Sequence, residues 1–129
     1  LAPGSTGPGS VETPPEVTPQ EGDYVVLKPR FSAFFHTELD LILRRLGVRT
    51  LYLTGTTTPN CIRTTCYDGL SLDYNVGILT DCCSSNSDEI QQANMVDMAN
   101  IGATLMTCAE FCDGKQATDW TGLVQAELL

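Results

Sequence analysis

Residues 48–61, VRTLYLTGTTTPNC, decide the fold of this chain. Residues 48–54 form an apolar run rich in β-branched side chains, which predicts a buried strand. Thr58 is a suitable N-cap and Pro59 a suitable first helical residue, so we expect a helix from here to about Leu72. The stretch is therefore predicted to form one strand–turn–helix unit of a fold with a parallel sheet.

The same unit recurs along the chain from residue 23 onward. The predicted strands cover residues 24–27, 48–54, 74–79 and 103–106. The predicted helices start at Thr37 and end at Gly47, run over residues 58–72, and run from Ser87 or Asp88 to Asn100. Alternation of this kind is typical of an α/β fold, a three-layer αβα sandwich around a mostly parallel, Rossmann-like sheet. Sites in such sheets lie at the carboxyl ends of strands.

Two segments differ from this pattern. Residues 1–20 hold five prolines and three glycines with few large apolar side chains, which predicts an extended arm. Residues 21–129 form one domain, whose tail from residue 116 onward is expected to add a helix that packs on the sheet or on a second subunit. Four strands make a thin sheet, which suits a partial copy of a larger domain.

Composition excludes several partners. The net charge is −9 and the seven basic residues form no stripe, so nucleic acid is not expected. No apolar run approaches the ~18 residues that span a bilayer, and no secretory signal opens the chain, so neither a membrane nor export is expected. Six cysteines inside periodic α/β segments indicate reduced thiols and a cytoplasmic protein.

Cys61 is the main candidate for chemistry. With Thr58 as N-cap it stands third in the helix, where free amides and the helix dipole favour a thiolate. A nucleophile beside free amides is the arrangement that acyl transfer needs. The alternative is that Cys61 is a small buried hydrophobic residue, as most free cysteines are.

Residues 28–82, from KPRFSAFFHTELD through LYLTGTTTPNCIRTTC to NVGILTDC, resemble the isochorismatase-like cysteine hydrolases. That superfamily includes nicotinamidases, ureidoacrylate amidohydrolases and N-carbamoyl amide hydrolases. The resemblance extends over about residues 7–107 and rests on several motifs in fixed order. It identifies residues 21–129 as a partial isochorismatase-like hydrolase domain.

The resemblance implies roles for five residues. Cys61 would be the nucleophile and Lys28 the cation that supports it; without the motif, Lys28 could be an ordinary solvated strand end. The backbone N–H groups of Thr57 and Cys61 would form an oxyanion hole, with a cis bond between Thr56 and Thr57. Phe31 and Thr56 would contact a planar substrate.

The implied activity is hydrolysis of C–N (amide) bonds in small molecules through an acyl-thioester, of nicotinamidase or ureidoacrylate amidohydrolase type. The family's aspartate base and its metal ligands belong to a segment upstream that has no counterpart here, so we expect an N-terminally truncated domain. The alternative is a catalytically inactive fragment or paralogue that serves as an assembly or binding subunit. We expect a small-molecule amide substrate, a homo-oligomer and no cofactor.

Two further groups of side chains have competing interpretations. A zinc site built from His36 and the four cysteines 82, 83, 108 and 112 would lack the usual C-x₂₋₄-C pairs, so no metal is expected. Arg63 suits either a subunit contact or an anchor for a substrate carboxylate. Cys66, on another face of the same helix as Cys61, is expected in the core.

Overall fold

A computed structural model describes residues 14–120 as a small parallel sheet with helices packed on it. The helices are α1 (Leu39–Arg45), α2 (Arg63–Ser71), α3 (Asp88–Asn100) and α4 (Cys108–Cys112), and the strands are β1 (Thr50–Thr56), β2 (Asn75–Ser84) and β3 (Thr104–Met106). A 3₁₀ turn covers Pro15–Val17, and a π-helical turn, Thr58–Ile62, runs directly into α2. Most of the predicted N-terminal arm lies outside the described residues.

The sheet has the order β1-β2-β3, and both pairs of strands are parallel. Leu53 lies opposite Ile78, which in turn lies opposite Leu105. Parallel neighbours require a crossover, and helices of this chain supply it after β1 and after β2. The predicted α/β fold with a parallel sheet is therefore confirmed.

Helices pack on both faces of the sheet because neighbouring strand residues point to opposite sides. Val76 and Ile78 belong to one buried cluster with Cys66 of α2 and Met95 and Met98 of α3. The opposite face carries aromatic rings from a strand and from the last helix, Tyr52 and Phe111, whose centroids are 4.7 Å apart. Gly77 lies beneath Tyr52, and a Cβ atom at Gly77 would approach that ring to 2.7 Å, so only glycine fits without rearrangement.

The predicted strand at residues 24–27 is wrong. This segment pairs with none of the three strands, and the side chains of Tyr24 and Leu27 are 64% and 86% exposed. An isolated apolar run cannot form a strand without a neighbour to complete its backbone hydrogen bonds. Lys28 therefore follows a loop and not a strand. It nevertheless lies beside Cys61, as the sequence predicts.

Several predicted boundaries shift by one or more residues. β1, predicted to end at residue 54, ends at Thr56, because its last residues pair with the end of β2. Thr57 is the N-cap of the following turn, so Cys61 is the fourth helical residue and not the third. β2 continues to Ser84, five residues beyond its predicted end at residue 79.

Of the four helix-end signals, the Thr58 N-cap is replaced by Thr57, and two of the other three are confirmed. The side chain of Ser87 caps α3 by accepting the N–H of Ile90 at 3.2 Å. Gly47 follows α1 with φ of 71°, the conformation expected at a helix C-terminus. Thr37 is not the N-cap of α1, because Glu38 holds that position, but its hydroxyl accepts the N–H of Leu39.

The described part of the C-terminal tail, residues 116–120, is not helical. Its backbone amides are used by side chains of the sheet, since the N–H of Ala117 donates to the Tyr52 hydroxyl at 3.1 Å and that of Trp120 to Asn75 Oδ1 at 2.9 Å. The segment therefore docks on the sheet as predicted, but without a helix. Residues 121–129 lie outside the described residues. Within residues 14–120 no helix is both long and apolar enough to cross a bilayer.

Candidate active site

The structure brings together the two residues that the sequence assigns to catalysis. Lys28 Nζ lies 3.2 Å from Cys61 Sγ and donates a second hydrogen bond to the carbonyl of Arg30 at 3.0 Å. Lys28 comes from the loop before α1, and Cys61 from the π-helical turn after β1. The thiol is partly buried while the amine is exposed, so the pair lies at the surface where a solute can reach it.

The turn between β1 and α2 is fixed by hydrogen bonds on both sides. The Thr56–Thr57 peptide bond is cis, as the family resemblance implies. The carbonyl of Thr57 accepts the Asn60 N–H at 3.1 Å, and its hydroxyl accepts the Asn60 side-chain amide at 3.0 Å. Thr58 is completely buried and donates its hydroxyl to the Ser84 carbonyl at 3.1 Å. The end of β2 therefore holds in place the turn that carries Cys61.

The loop after Lys28 is anchored on α2. The N–H of Ala33 donates to the hydroxyl of Thr65 on α2 at 2.9 Å. The buried Ser32 accepts the N–H of Phe34 at 3.1 Å, and the Phe34 ring stacks on Tyr74 at a centroid distance of 5.7 Å. These contacts fix the loop that also contains Lys28 and Phe31.

An open groove of about 590 Å³ adjoins this site. Its walls combine aromatic and charged side chains: Arg30, Phe31, Ser32, Phe35, Arg63, Thr64, Tyr67 and Asp68. Phe31 is one of these lining residues, and its role as a substrate contact stays a prediction. Thr56 and the pair Lys28–Cys61 do not line it. Thr64 connects the two features, because its hydroxyl hydrogen bonds to the Asn60 carbonyl at 2.7 Å, next to Cys61.

Arg63 has structural partners at the wall of this groove. Its guanidinium contacts Asp97 at 2.8 Å and Asn94 at 3.0 Å, and it lies 5.1 Å from the Tyr67 ring centroid. The hydrogen bond to Asp97 is the main cause that raises the pKa of Arg63. Both acceptors lie on α3, so Arg63 ties α2 to α3. The sequence pattern did not reveal these partners, since neither acceptor is near Arg63 along the chain.

All six cysteines are free. Cys66 is buried in the core, as predicted, and desolvation raises the pKa of its thiol to about 12. In the part of the chain that the structure describes, no cluster of three or more His, Cys, Asp or Glu side chains is arranged to hold a metal ion.

The parallel sheet and its strand-to-helix turn define a class, the α/β sandwich proteins whose sites lie at the carboxyl ends of strands. Comparison with known families then identifies the family: the Isochorismatase domain model matches residues 3–110, and the chain belongs to the isochorismatase family.

Two similar proteins and one solved structure support this assignment. A probable inactive nicotinamidase of Arabidopsis thaliana is 45% identical over 95 residues, which cover 73% of this chain and 48% of that protein. The ureidoacrylate amidohydrolase RutB of Enterobacter sp. (strain 638) is 38% identical, with coverages of 76% and 43%. An isochorismatase-like hydrolase from Alkaliphilus metalliredigens superposes with a TM-score of 0.78 at 36% identity, with coverages of 83% and 59%. The chain thus spans about half the length of these relatives.

Proposed function

We propose that this chain carries the nucleophile of a cysteine-dependent hydrolase of amide bonds in small molecules. The observation that carries the proposal is the 3.2 Å contact between Lys28 Nζ and Cys61 Sγ at the start of a helix. A thiolate is the reactive form of cysteine, and a neighbouring ammonium group stabilises it. The name of one relative, a ureidoacrylate amidohydrolase, favours an amide substrate.

In the proposed reaction, the Cys61 thiolate attacks the amide carbonyl and a C–S bond forms. The C–N bond then breaks as the leaving amine takes a proton from solvent water, and an acyl-thioester remains. Water hydrolyses the thioester, which releases a carboxylate, returns the Cys61 thiolate and gives its protons to solvent. Throughout, Lys28 balances negative charge at the sulfur.

The proposed oxyanion hole consists of the backbone N–H groups of Thr57 and Cys61. Removing one such donor typically costs about 3 kcal/mol of transition-state stabilisation, so the hole needs a rigid frame. That frame is the set of hydrogen bonds that Asn60 donates to Thr57 and that Thr58 donates to Ser84.

The groove beside the site favours a planar substrate of nicotinamidase or ureidoacrylate type. The ring of Phe31 is 43% exposed and lies at the groove wall, where it can stack on a flat acyl group. Thr56, which ends β1 just before Thr57, is the second proposed substrate contact.

A second candidate function is that of a catalytically inactive assembly or binding subunit. Among residues 14–120, no carboxylate forms an ion pair with Lys28, so the described site has no acidic group next to its lysine. The name of the Arabidopsis relative, a probable inactive nicotinamidase, points the same way. In this alternative the groove binds a small molecule without turnover.

Alkylation by iodoacetamide at about pH 6 tests the proposed thiolate without knowledge of the substrate. The rate at each cysteine is measured by peptide mapping. We expect Cys61 to react at least about tenfold faster than the exposed Cys112, and Lys28→Met to lower the rate at Cys61 while the rate at Cys112 stays unchanged. Lys115→Met is the matched control, because Lys115 pairs with Glu110 at 3.0 Å and does not contact Cys61. Equal rates at the two cysteines would refute an activated nucleophile.

A further inference from the structure

The pairing between β1 and β2 has an irregularity that carries polar residues away from β1. From Leu53 to Gly55 the strand β1 advances two residues, while its partner advances five, from Ile78 to Cys83. Residues 79–82 therefore leave the β1 ladder, and Leu79 pairs instead with Met106 of β3. This bulge carries a carboxylate and a thiol that the proposed hydrolysis does not use.

The bulge lies against the first residue of α4. Asp81 Oδ1 accepts the Cys108 N–H at 2.8 Å and is 3.8 Å from Cys82 Sγ. One carboxylate oxygen thus contacts both a strand thiol and the residue that carries a second thiol. Cys112 follows one helical turn after Cys108 on α4.

Three thiols belong to these two elements, Cys82 in the bulge and Cys108 and Cys112 on α4. Desolvation and a hydrogen bond with Cys108 raise the pKa of Cys82, and a hydrogen bond with Cys108 raises the pKa of Cys112. Asp81 Oδ1, which contacts both Cys82 Sγ and the Cys108 N–H, is the group that brings Cys82 and Cys108 together. Thiol–disulfide exchange is a reaction open to neighbouring thiols.

Helix geometry disfavours one of the possible pairs of thiols. Side chains four residues apart on a helix have Cβ atoms about 5–6 Å apart, whereas a disulfide needs about 3.5–4.5 Å. Cys108 and Cys112 are such a pair, so their bond would distort α4. Cys82 and Cys108 come from different elements that meet at Asp81, and no helical spacing separates them.

We propose that Cys82 and Cys108 form a reversible disulfide when the protein meets a low-molecular-weight disulfide such as oxidised glutathione. The Cys108 thiolate attacks one sulfur of the reagent, forming a mixed disulfide and releasing the first glutathione thiolate. The Cys82 thiolate then attacks the Cys108 sulfur and releases the second. The two protein thiols are oxidised by two electrons, and the reagent is reduced to two molecules of glutathione.

The test exposes the full chain to oxidised glutathione, blocks the remaining thiols with N-ethylmaleimide and maps the peptides by mass spectrometry. We expect a cross-linked pair of peptides containing Cys82 and Cys108, about 2 Da lighter than the reduced pair, that dithiothreitol separates. Cys82→Ser and Cys108→Ser should each remove it. Cys112→Ser is the matched control and should keep it.

Two results would overturn the proposal. One is a bond between Cys108 and Cys112 in place of the expected pair. The other is glutathione attached to single cysteines with no bond inside the chain, even after prolonged oxidation. Both results come from the unmodified chain, so they remain decisive if a serine variant fails to fold.

Discussion

At the scale of single residues, Lys28 and Cys61 come from segments 33 positions apart and meet at 3.2 Å. Neither side chain is held by the core, since Lys28 is exposed and Cys61 is only partly buried. Their separation depends instead on the anchored loop and turn around them. Removing either functional group should therefore change reactivity far more than stability.

Cys61→Ala should abolish amide hydrolysis while the fold remains intact. Loss of a nucleophile typically lowers turnover by at least about a thousandfold, because no other group can form the acyl intermediate. The measurement is ammonia release from a panel of small primary amides, with circular dichroism to check folding. Cys112→Ala is the control and should retain turnover. Undiminished ammonia release by Cys61→Ala would contradict the assignment of the nucleophile.

Tyr74 should make the folded protein sensitive to alkali. Its side chain is 2% exposed and donates to Asp40 Oδ1 at 2.7 Å. Burial first, and then this hydrogen bond, raise the pKa of Tyr74 to about 12. The pKa of an unfolded tyrosine is about 10. The contribution of the protonated Tyr74 to stability is therefore complete below that pH and is lost as the pH rises towards about 12.

Chemical unfolding at a series of pH values checks this dependence. The free energy of unfolding should fall between about pH 10 and pH 12, and Tyr74→Phe should flatten that part of the curve. Absorbance at the phenolate band reports the same titration directly. A Tyr74 midpoint at the ordinary tyrosine value would show that its hydroxyl is open to solvent.

At the scale of elements, the sequence was most informative where the cause is local. Ser87 and Gly47 mark helix ends through the conformation of one or two residues, and both predictions hold. The extension of β2 to Ser84 escaped prediction, because it depends on pairing with β1 and on the Thr58 hydroxyl. The wrong strand prediction at residues 24–27 has the same cause. Whether an apolar segment finds a strand to pair with cannot be read from its composition.

The same distinction applies to the candidate site, where some features were predicted from the sequence and others were missed. Cys61, Lys28 and the cis bond before Thr57 were predicted because motifs in fixed order carry them. The contacts of Arg63 with Asn94 and Asp97 were missed, because they join residues more than thirty positions apart and follow no spacing rule.

Ser87→Ala should destabilise the domain by about 1 kcal/mol, because α3 loses the side chain that accepts the Ile90 N–H. The measurement is the free energy of unfolding in urea. Ser85→Ala is a matched control two residues away: among the described residues its buried hydroxyl has no hydrogen-bond partner, so no bond is lost. Equal destabilisation by both changes would show that Ser87 does not act as a cap.

At the scale of the whole molecule, many large apolar side chains lie on the surface of the described chain. Those with the largest exposed fractions are Leu27 at 86%, Leu41 at 71%, Val17 at 67%, Tyr24 at 64% and Val25 at 62%. β1 is also an edge strand, since its only partner among the described strands is β2. Surfaces and edges of this kind promote association.

We therefore expect the 129-residue chain to self-associate in solution. Light scattering coupled to gel filtration should give a mass above the 13.9 kDa of one chain. Replacing Leu27 and Leu41 together by serine should weaken association, because both are largely exposed. Val76→Ala, a core change, is expected to destabilise the fold instead. A single monomeric species for the unchanged chain would disprove this expectation.

The irregular stretch of β2 also divides the sheet along its length. Before the bulge, Ile78 is flanked by Leu53 and Leu105, so its backbone lies between two hydrogen-bonded neighbours. Beyond it, Cys83 and Ser84 pair with β1 alone. Deuterium should therefore enter the amides at residues 80–82 before those at residues 76–78.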